Sequence, residues 1–273
     1  MGDLAVLRTR LEQLDRVIVA FSGGADSAFL AWVAHDTLGP DRVTAVTAVS
    51  PSLAGFEHDD CAALAAEWDL RWVEVPTTEM LDAAYQRNDA DRCFHCKDAL
   101  MEAVAPLAEA EGAAVVLGVN VDDLGDHRPG QRAAGERGAS FPLVDAGFTK
   151  ADVRAVSRRL GLRTWDKPAA ACLASRVPYG TSVTMGVLAS VEQAETALRR
   201  LGFVDLRVRH YGDLARIEVP VADLERVVAG RSEIVDAVGA AGYTYVTLDL
   251  EGLRSGNLNQ ALDRGARGST SGS

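Results

Sequence analysis

Two groups of residues in this chain have the types and spacing to do chemistry. The first is Ser22-Gly23-Gly24-Ala25-Asp26-Ser27, set directly after the apolar run Val17–Phe21. Glycines accept positive φ and let a backbone come close to a ligand. A helix starting near Asp26-Ser27 turns its unpaired N–H groups into the loop. Ser22 and Ser27 add hydroxyl donors, so the segment suits a phosphate. The GxxxxGK[ST] pattern of the Walker loop is absent. The second group is thiols. Cys93 and Cys96 bracket Phe94-His95 ahead of a helix read from Lys97, and Cys172 stands four residues before Arg176 in a proline-bounded stretch. A CxxC pair at a helix N-terminus has depressed thiol pKa values and binds metal or does redox work. Cys61 shares a helix face with Leu64, Ala65 and Trp68 and reads as core.

The elements that must position these groups alternate strand and helix. A helix over Leu4–Leu14 precedes the strand Val17–Phe21, and a helix from about Ser27 to Leu38 stops at Gly39-Pro40. Further strands are expected at Val43–Val49, Arg71–Val75 and Ala114–Gly118. Helices are expected at His58–Trp68, Lys97–Glu111 and Asp152–Leu160. Short apolar strands separated by helices predict an α/β fold, a parallel sheet covered on both faces. After Gly180 the pattern changes. A long helix (about Thr184–Leu201) leads to an antiparallel pair, Asp205–His210 and Ala215–Val219, and then to two short helices and a strand over Tyr243–Leu248. That is a separate α+β unit. The domains are therefore expected at 1–180 and 181–262, with a Gly/Ser/Arg-rich disordered tail at 263–273.

SGGxDS after an apolar strand is the PP-loop signature of ATP pyrophosphatases, so the first domain resembles that superfamily and implies a PP-loop ATP-binding and adenylation domain. The resemblance implies that Ser22, Gly23, Gly24 and Ser27 cradle the phosphates of ATP and that Asp26 helps to hold the magnesium pyrophosphate. Ser50 after the second strand, and Gly118-Val119-Asn120 with Asp122-Asp123 after the fourth, stand at strand ends, where open parallel sheets bind ligands. In the superfamily such positions contact adenosine and the acceptor; the plain alternative is turn formation.

Five stretches together resemble one family more closely: SGGADS, DRCFHCK, LGVNVDDLGDHRPGQRAA, KPAAACLASRVPYG and LRVRHYGDLARIEV, spanning about Val17 to Val219. These are similar to the LarE family, PP-loop sulfur transferases that act on pyridinium-3,5-biscarboxylic acid mononucleotide in building a nickel-pincer cofactor. The resemblance implies adenylation of a substrate carboxylate, then displacement of AMP by sulfur. In members with only the ACxxSR cysteine, that cysteine gives up its own sulfur; here Cys93 and Cys96 are also present. Three-cysteine members imply a 4Fe-4S cluster held by Cys93, Cys96 and Cys172, with one iron open for an extra sulfide. Sacrificial use of Cys172, and a structural zinc with His95 as fourth ligand, stand as alternatives. Arg207 and Arg209, two apart on a strand, share a face and would make a cationic site for the mononucleotide phosphate. Glu195 matches a family active-site carboxylate by its distance from the cysteine, and Arg176 would steady the phosphate or a thiolate. The plain alternative for all four is a solvated charged face. The family also implies homo-oligomers, hexamers built from trimers, in which the second domain would take part.

Composition narrows the partners. The chain has 273 residues, and 28 Lys+Arg against 39 Asp+Glu give a formal charge of −11. That charge disfavours a polynucleotide, and with it a tRNA-thiolating PP-loop enzyme, the second functional class weighed. A third class, a non-catalytic adenine-nucleotide-binding regulator, would not need three placed cysteines and Asp26. No apolar stretch reaches membrane-span length, and the N-terminal segment lacks a signal-peptide core, so a cytoplasmic protein without a membrane partner is expected.

Overall fold

A computed structural model describes residues 2–125, 129–168 and 171–254. The tail expected at 263–273 lies outside the described residues. The chain divides into two compact units. One takes the chain up to Tyr85 together with Ala90–Ala171; the other takes Gln86–Asp89 and the chain from Cys172 on.

The first unit is an α/β layer structure. Its elements are α1 (Leu4–Leu14), β1 (Val17–Ala20), α2 (Ala25–Leu38), β2 (Val43–Val49), α3 (Gly55–Glu67) and β3 (Arg71–Pro76), then α4 (Ala83–Arg87), which runs into the second unit. α5 (Arg92–Glu111), β4 (Ala114–Leu117), α6 (Pro129–Glu136), α7 (Pro142–Asp145) and α8 (Lys150–Arg159) follow. The sheet is parallel throughout with strand order β3-β2-β1-β4. The side chains of β1 alternate between two cores. Val17 and Val19 pack with α1, α2 and α8, whereas Ile18 packs with Leu100, Met101 and Val104 of α5. Burial on both faces is why the strand reads as continuously apolar rather than alternating. Strand order reverses between β1 and β4, so their C-terminal ends open a crevice where ligands bind in sheets of this kind.

The second unit holds α9 (Met185–Arg200), β5 (Arg207–Tyr211), β6 (Leu214–Glu218), α10 (Leu224–Ala229), α11 (Arg231–Gly239) and β7 (Tyr245–Leu248). β5 and β6 pair antiparallel, Arg207 opposite Glu218, and β7 joins β6 in parallel. Its core is formed by Leu198, Val208, Ile217, Ile234 and Val238 with their neighbours. Asn88, fully buried with φ 59°, belongs to this unit. Its side-chain Nδ2 lies 3.2, 2.8 and 2.9 Å from the carbonyl oxygens of Val177, Pro178 and Thr181, and its own carbonyl accepts from Gly180 N.

Candidate active site

The phosphate loop is Phe21–Gly24, between β1 and α2. Gly23 takes φ +67°, and a Cβ there would lie 2.9 Å from Cys61 Sγ, so glycine is needed for conformation and for space. Gly24 caps α2 without a side-chain acceptor, which leaves the first-turn amides facing the loop. Ser27 Oγ accepts from Ser22 N at 3.2 Å, lies 3.1 Å from Ser22 Oγ and donates to Gly24 O at 3.1 Å. Asp26 stands in the first turn of α2. Gly118, after β4, closes the same crevice: a Cβ there would come within 2.8 Å of Ser27 N. Two residues on, Asn120 is fully buried and neither side-chain amide atom has a partner among the described residues, while its backbone N donates to Asp123 Oδ2 at 3.2 Å. Ser50 ends β2's loop side, its hydroxyl accepting from Ser52 N at 3.2 Å.

Lys167, the first residue of the KPAAACLASRVPYG stretch but given no role there, also belongs to this loop. Its Nζ donates to Gly23 O at 3.1 Å, Glu57 Oε2 at 2.7 Å and Asp60 Oδ2 at 2.6 Å. Arg163 bonds Asp60 at 2.7 Å and Glu67 at 2.9 Å, extending the network along α3. Burial by itself would lower the Lys167 pKa, but the hydrogen bonds to Asp60 and Glu57 more than offset it and the ammonium is held above its ordinary value. Asp60 moves the opposite way: burial would raise its pKa, and the bonds from Lys167 and Arg163 bring it below the usual carboxylate range. Cys61 is core, and burial pushes its thiol up to about 11.

Cys93 and Cys96 sit in the first turn of α5, three apart and on one face, Cys93 exposed and Cys96 half-buried. The helix starts at Arg92 rather than Lys97, so the pair is helical and not in a loop. α6 is built against this turn: a Cβ on Gly130 would meet Cys93 O at 2.7 Å and Lys97 Cγ at 2.8 Å. Between the cysteines, His95 has Nδ1 2.9 Å from Asp82 Oδ2 and Nε2 3.6 Å from Asp91 Oδ2, so both ring nitrogens already face carboxylates. Among the described residues no three His, Cys, Asp or Glu side chains gather about one metal position; Cys93 and Cys96 belong to the first unit and Cys172 to the second.

In the second unit Cys172 precedes a single 3-10 turn, Leu173–Arg176. Arg176 is buried in this turn. It donates through Nε to Glu195 Oε1 at 2.8 Å and through Nη2 to Oε2 at 3.1 Å. Its Nη1 reaches Cys172 O at 3.1 Å and Ser175 Oγ at 3.2 Å. Glu195 Oε1 also accepts from Val208 N at 3.0 Å, so both carboxylate oxygens are engaged. Arg207 and Arg209 share a face of β5 but differ in their bonding. Arg209 is buried, donating to Ser175 O and Glu218 Oε2, each at 2.8 Å. Among the described residues no carboxylate pairs with Arg207; its Nη1 reaches Arg254 O at 3.5 Å. Burial first, and then the charges of Arg176 and Arg209, lower its pKa, against smaller contributions from Glu218 and Glu195. A half-buried cation beside two others is a place for an anion.

Comparison with known proteins agrees with this geometry. Residues 5–104 match the family described as NAD synthase. The chain is 46% identical to an uncharacterized protein of Synechocystis sp., over 94% of this chain and 97% of that one. It is 39% identical to the pyridinium-3,5-bisthiocarboxylic acid mononucleotide synthase of Lactiplantibacillus plantarum, over 95% of each chain. An uncharacterized protein of Methanocaldococcus jannaschii is 26% identical over 88% of this chain. With a glycine phosphate loop at the sheet's switch point and identity running through nearly the full length of both units, the chain belongs to the LarE family of PP-loop, ATP-dependent sulfurtransferases.

Proposed function

We propose that the protein uses ATP to adenylate the carboxylates of pyridinium-3,5-biscarboxylic acid mononucleotide and converts them to thiocarboxylates. The observation that carries this reading is the loop at the β1–β4 crevice, where Gly23 and Gly118 clear the space and the α2 amides face it. These residues fit the triphosphate of ATP, and Asp26, in the first turn of α2, would hold its magnesium. A substrate carboxylate oxygen attacks the α-phosphorus and pyrophosphate leaves; the loop amides stabilise the charge on the departing oxygens. A sulfur nucleophile then attacks the acyl carbon, and AMP leaves with the former carboxylate oxygen. Arg207, which among the described residues has no carboxylate partner, takes the mononucleotide phosphate; Arg209 supports it through Glu218 and Ser175. Arg176, locked to Glu195, fixes the turn that carries Cys172.

Three thiols are a soft donor set suited to iron. Cys93 and Cys96, one helical turn apart, would supply two ligands and Cys172 the third. When bound, such a 4Fe-4S cluster leaves one iron open to carry the sulfide that is transferred. The deciding experiment is anaerobic purification with iron and sulfide assay, then incubation with ATP, Mg²⁺ and the pyridinium mononucleotide. Thiolated product with Cys172 intact supports the cluster route, and loss of the elements of H₂S from Cys172 supports sacrificial donation. Absence of both adenylated and thiolated mononucleotide would refute the reading. Cys93→Ala and Cys96→Ala should each abolish iron binding.

A further inference from the structure

Lys167 Nζ lies at the phosphate loop, 3.1 Å from Gly23 O, where a simple electrostatic reading would assign it to the phosphates, yet its bonds are elsewhere. Its three acceptors are protein atoms: Gly23 O, Glu57 Oε2 and Asp60 Oδ2. The two carboxylates offset the ammonium, and Arg163 and Glu67 complete the network, two cations with three carboxylates and a net charge of −1. What Lys167 does reach is the loop's backbone. In a planar trans peptide the carbonyl of one residue and the N–H of the next point in opposite directions. Anchoring the Gly23 carbonyl on Lys167 therefore points the Gly24 N–H the opposite way within the same peptide plane. Gly23 at φ +67° has no side chain to resist rotation of that peptide, so an external anchor is needed to hold one orientation.

We propose that Lys167 is a positioning residue for the nucleotide's phosphates. From its clamp on Glu57 and Asp60 it holds the Gly23–Gly24 peptide with the N–H presented to the anion, and it does not bind the phosphate itself. The inference rests on the reading that this loop takes the pyrophosphate portion of ATP. It separates Lys167 from Ser22, Ser27 and the loop amides, whose part is direct contact.

Calorimetric titration of the full-length protein with Mg-ATP, pyrophosphate and AMP tests it. In Lys167→Met, affinity for ATP and pyrophosphate should fall about tenfold or more, the effect of losing one hydrogen bond to a charged group, while AMP binding changes less than about twofold. An equal loss for ATP and AMP would mean a merely structural role and would overturn the proposal, as would unchanged ATP binding. The pair Glu57→Gln with Asp60→Asn gives an opposite-sign test and serves also where Lys167→Met does not fold. Removing two negative charges beside the loop should by simple Coulomb attraction tighten ATP. Loosening the Lys167 clamp should instead weaken it. Tighter or unchanged ATP binding in that double variant refutes positioning. If the wild-type protein binds neither ATP nor pyrophosphate, the nucleotide reading itself has failed, which no comparison among variants would mimic.

Discussion

The fork between Arg176 and Glu195 sets the most demanding prediction. Both side chains are almost wholly buried, joined by two parallel hydrogen bonds of 2.8 and 3.1 Å, and Glu195 also accepts from Val208 N. Glu195→Ala leaves a buried guanidinium without its counter-charge, which costs about 3–5 kcal/mol, and strands the Val208 amide besides. With a urea dependence of about 2 kcal/mol per molar, the unfolding midpoint of the second unit should fall by roughly 2 M. Arg176→Met should cost a similar amount. The double variant Arg176→Met/Glu195→Leu should recover most of the loss, because replacing both partners removes the desolvated charges together. The cycle should thus show a coupling of at least about 2 kcal/mol. Alkylation of Cys172 supplies the second readout. The Arg176 bond to the Cys172 carbonyl is lost in Arg176→Met and in the double variant, so the thiol should react faster in both, the stable double variant included. Additive single costs, or Glu195→Gln that keeps wild-type stability and Cys172 reactivity while abolishing turnover, would refute the positioning role and make Glu195 a proton carrier.

Other outcomes follow from close approaches and buried groups. Gly118→Ala should drive a methyl into the first turn of α2 and lower ATP affinity by about tenfold, read by calorimetry, because the backbone it meets at 2.8 Å cannot swing aside. Gly130→Ala should push α6 off the CxxC turn, costing about 1–3 kcal/mol in urea unfolding and lowering iron content after anaerobic purification. Cys61, with its thiol raised to about 11, should resist iodoacetamide at pH 8.5 in the folded protein and react only on unfolding, whereas exposed Cys93 reacts at once in the iron-free protein. Asp60 is held below its unfolded pKa, so its contribution is present above the ordinary carboxylate range and fades as pH falls through the lowered folded value. The stability difference between wild type and Asp60→Asn should be constant from about pH 5 to 8 and shrink below about pH 4.

What could be read from the sequence divides by distance along the chain. The SGGADS loop was legible because strand, glycines and helix start are neighbours, and the parallel sheet because buried strands are apolar on both faces. The start of α5 was not: Cys93, Phe94 and His95 are modest helix formers, and Asp91 gives no side-chain cap to mark the boundary. α6 went unread since Pro129-Gly130 and Gly135 look like loop, although proline is well suited to a first helical position and Gly130 is there to let Cys93 pass close. The Lys167 clamp joins residues 107 and 110 apart, and such pairings leave no local trace. The same holds for Arg209: its spacing from Arg207 places both on one face, but only the opposing strand reveals that Glu218 takes it.

The Asn88 clamp gives the protein a timetable. Its side-chain Nδ2 donates to carbonyls 89, 90 and 93 residues further along, so the segment Gln86–Asp89 emerges from the ribosome long before these partners exist. At roughly 5–20 residues per second, translation leaves it waiting for about 5–20 s. Cys93 and Cys96 are made immediately after that segment and Cys172 near the end of the wait. Through this interval the first two thiols exist before Cys172 does, and an oxidant would pair them with each other.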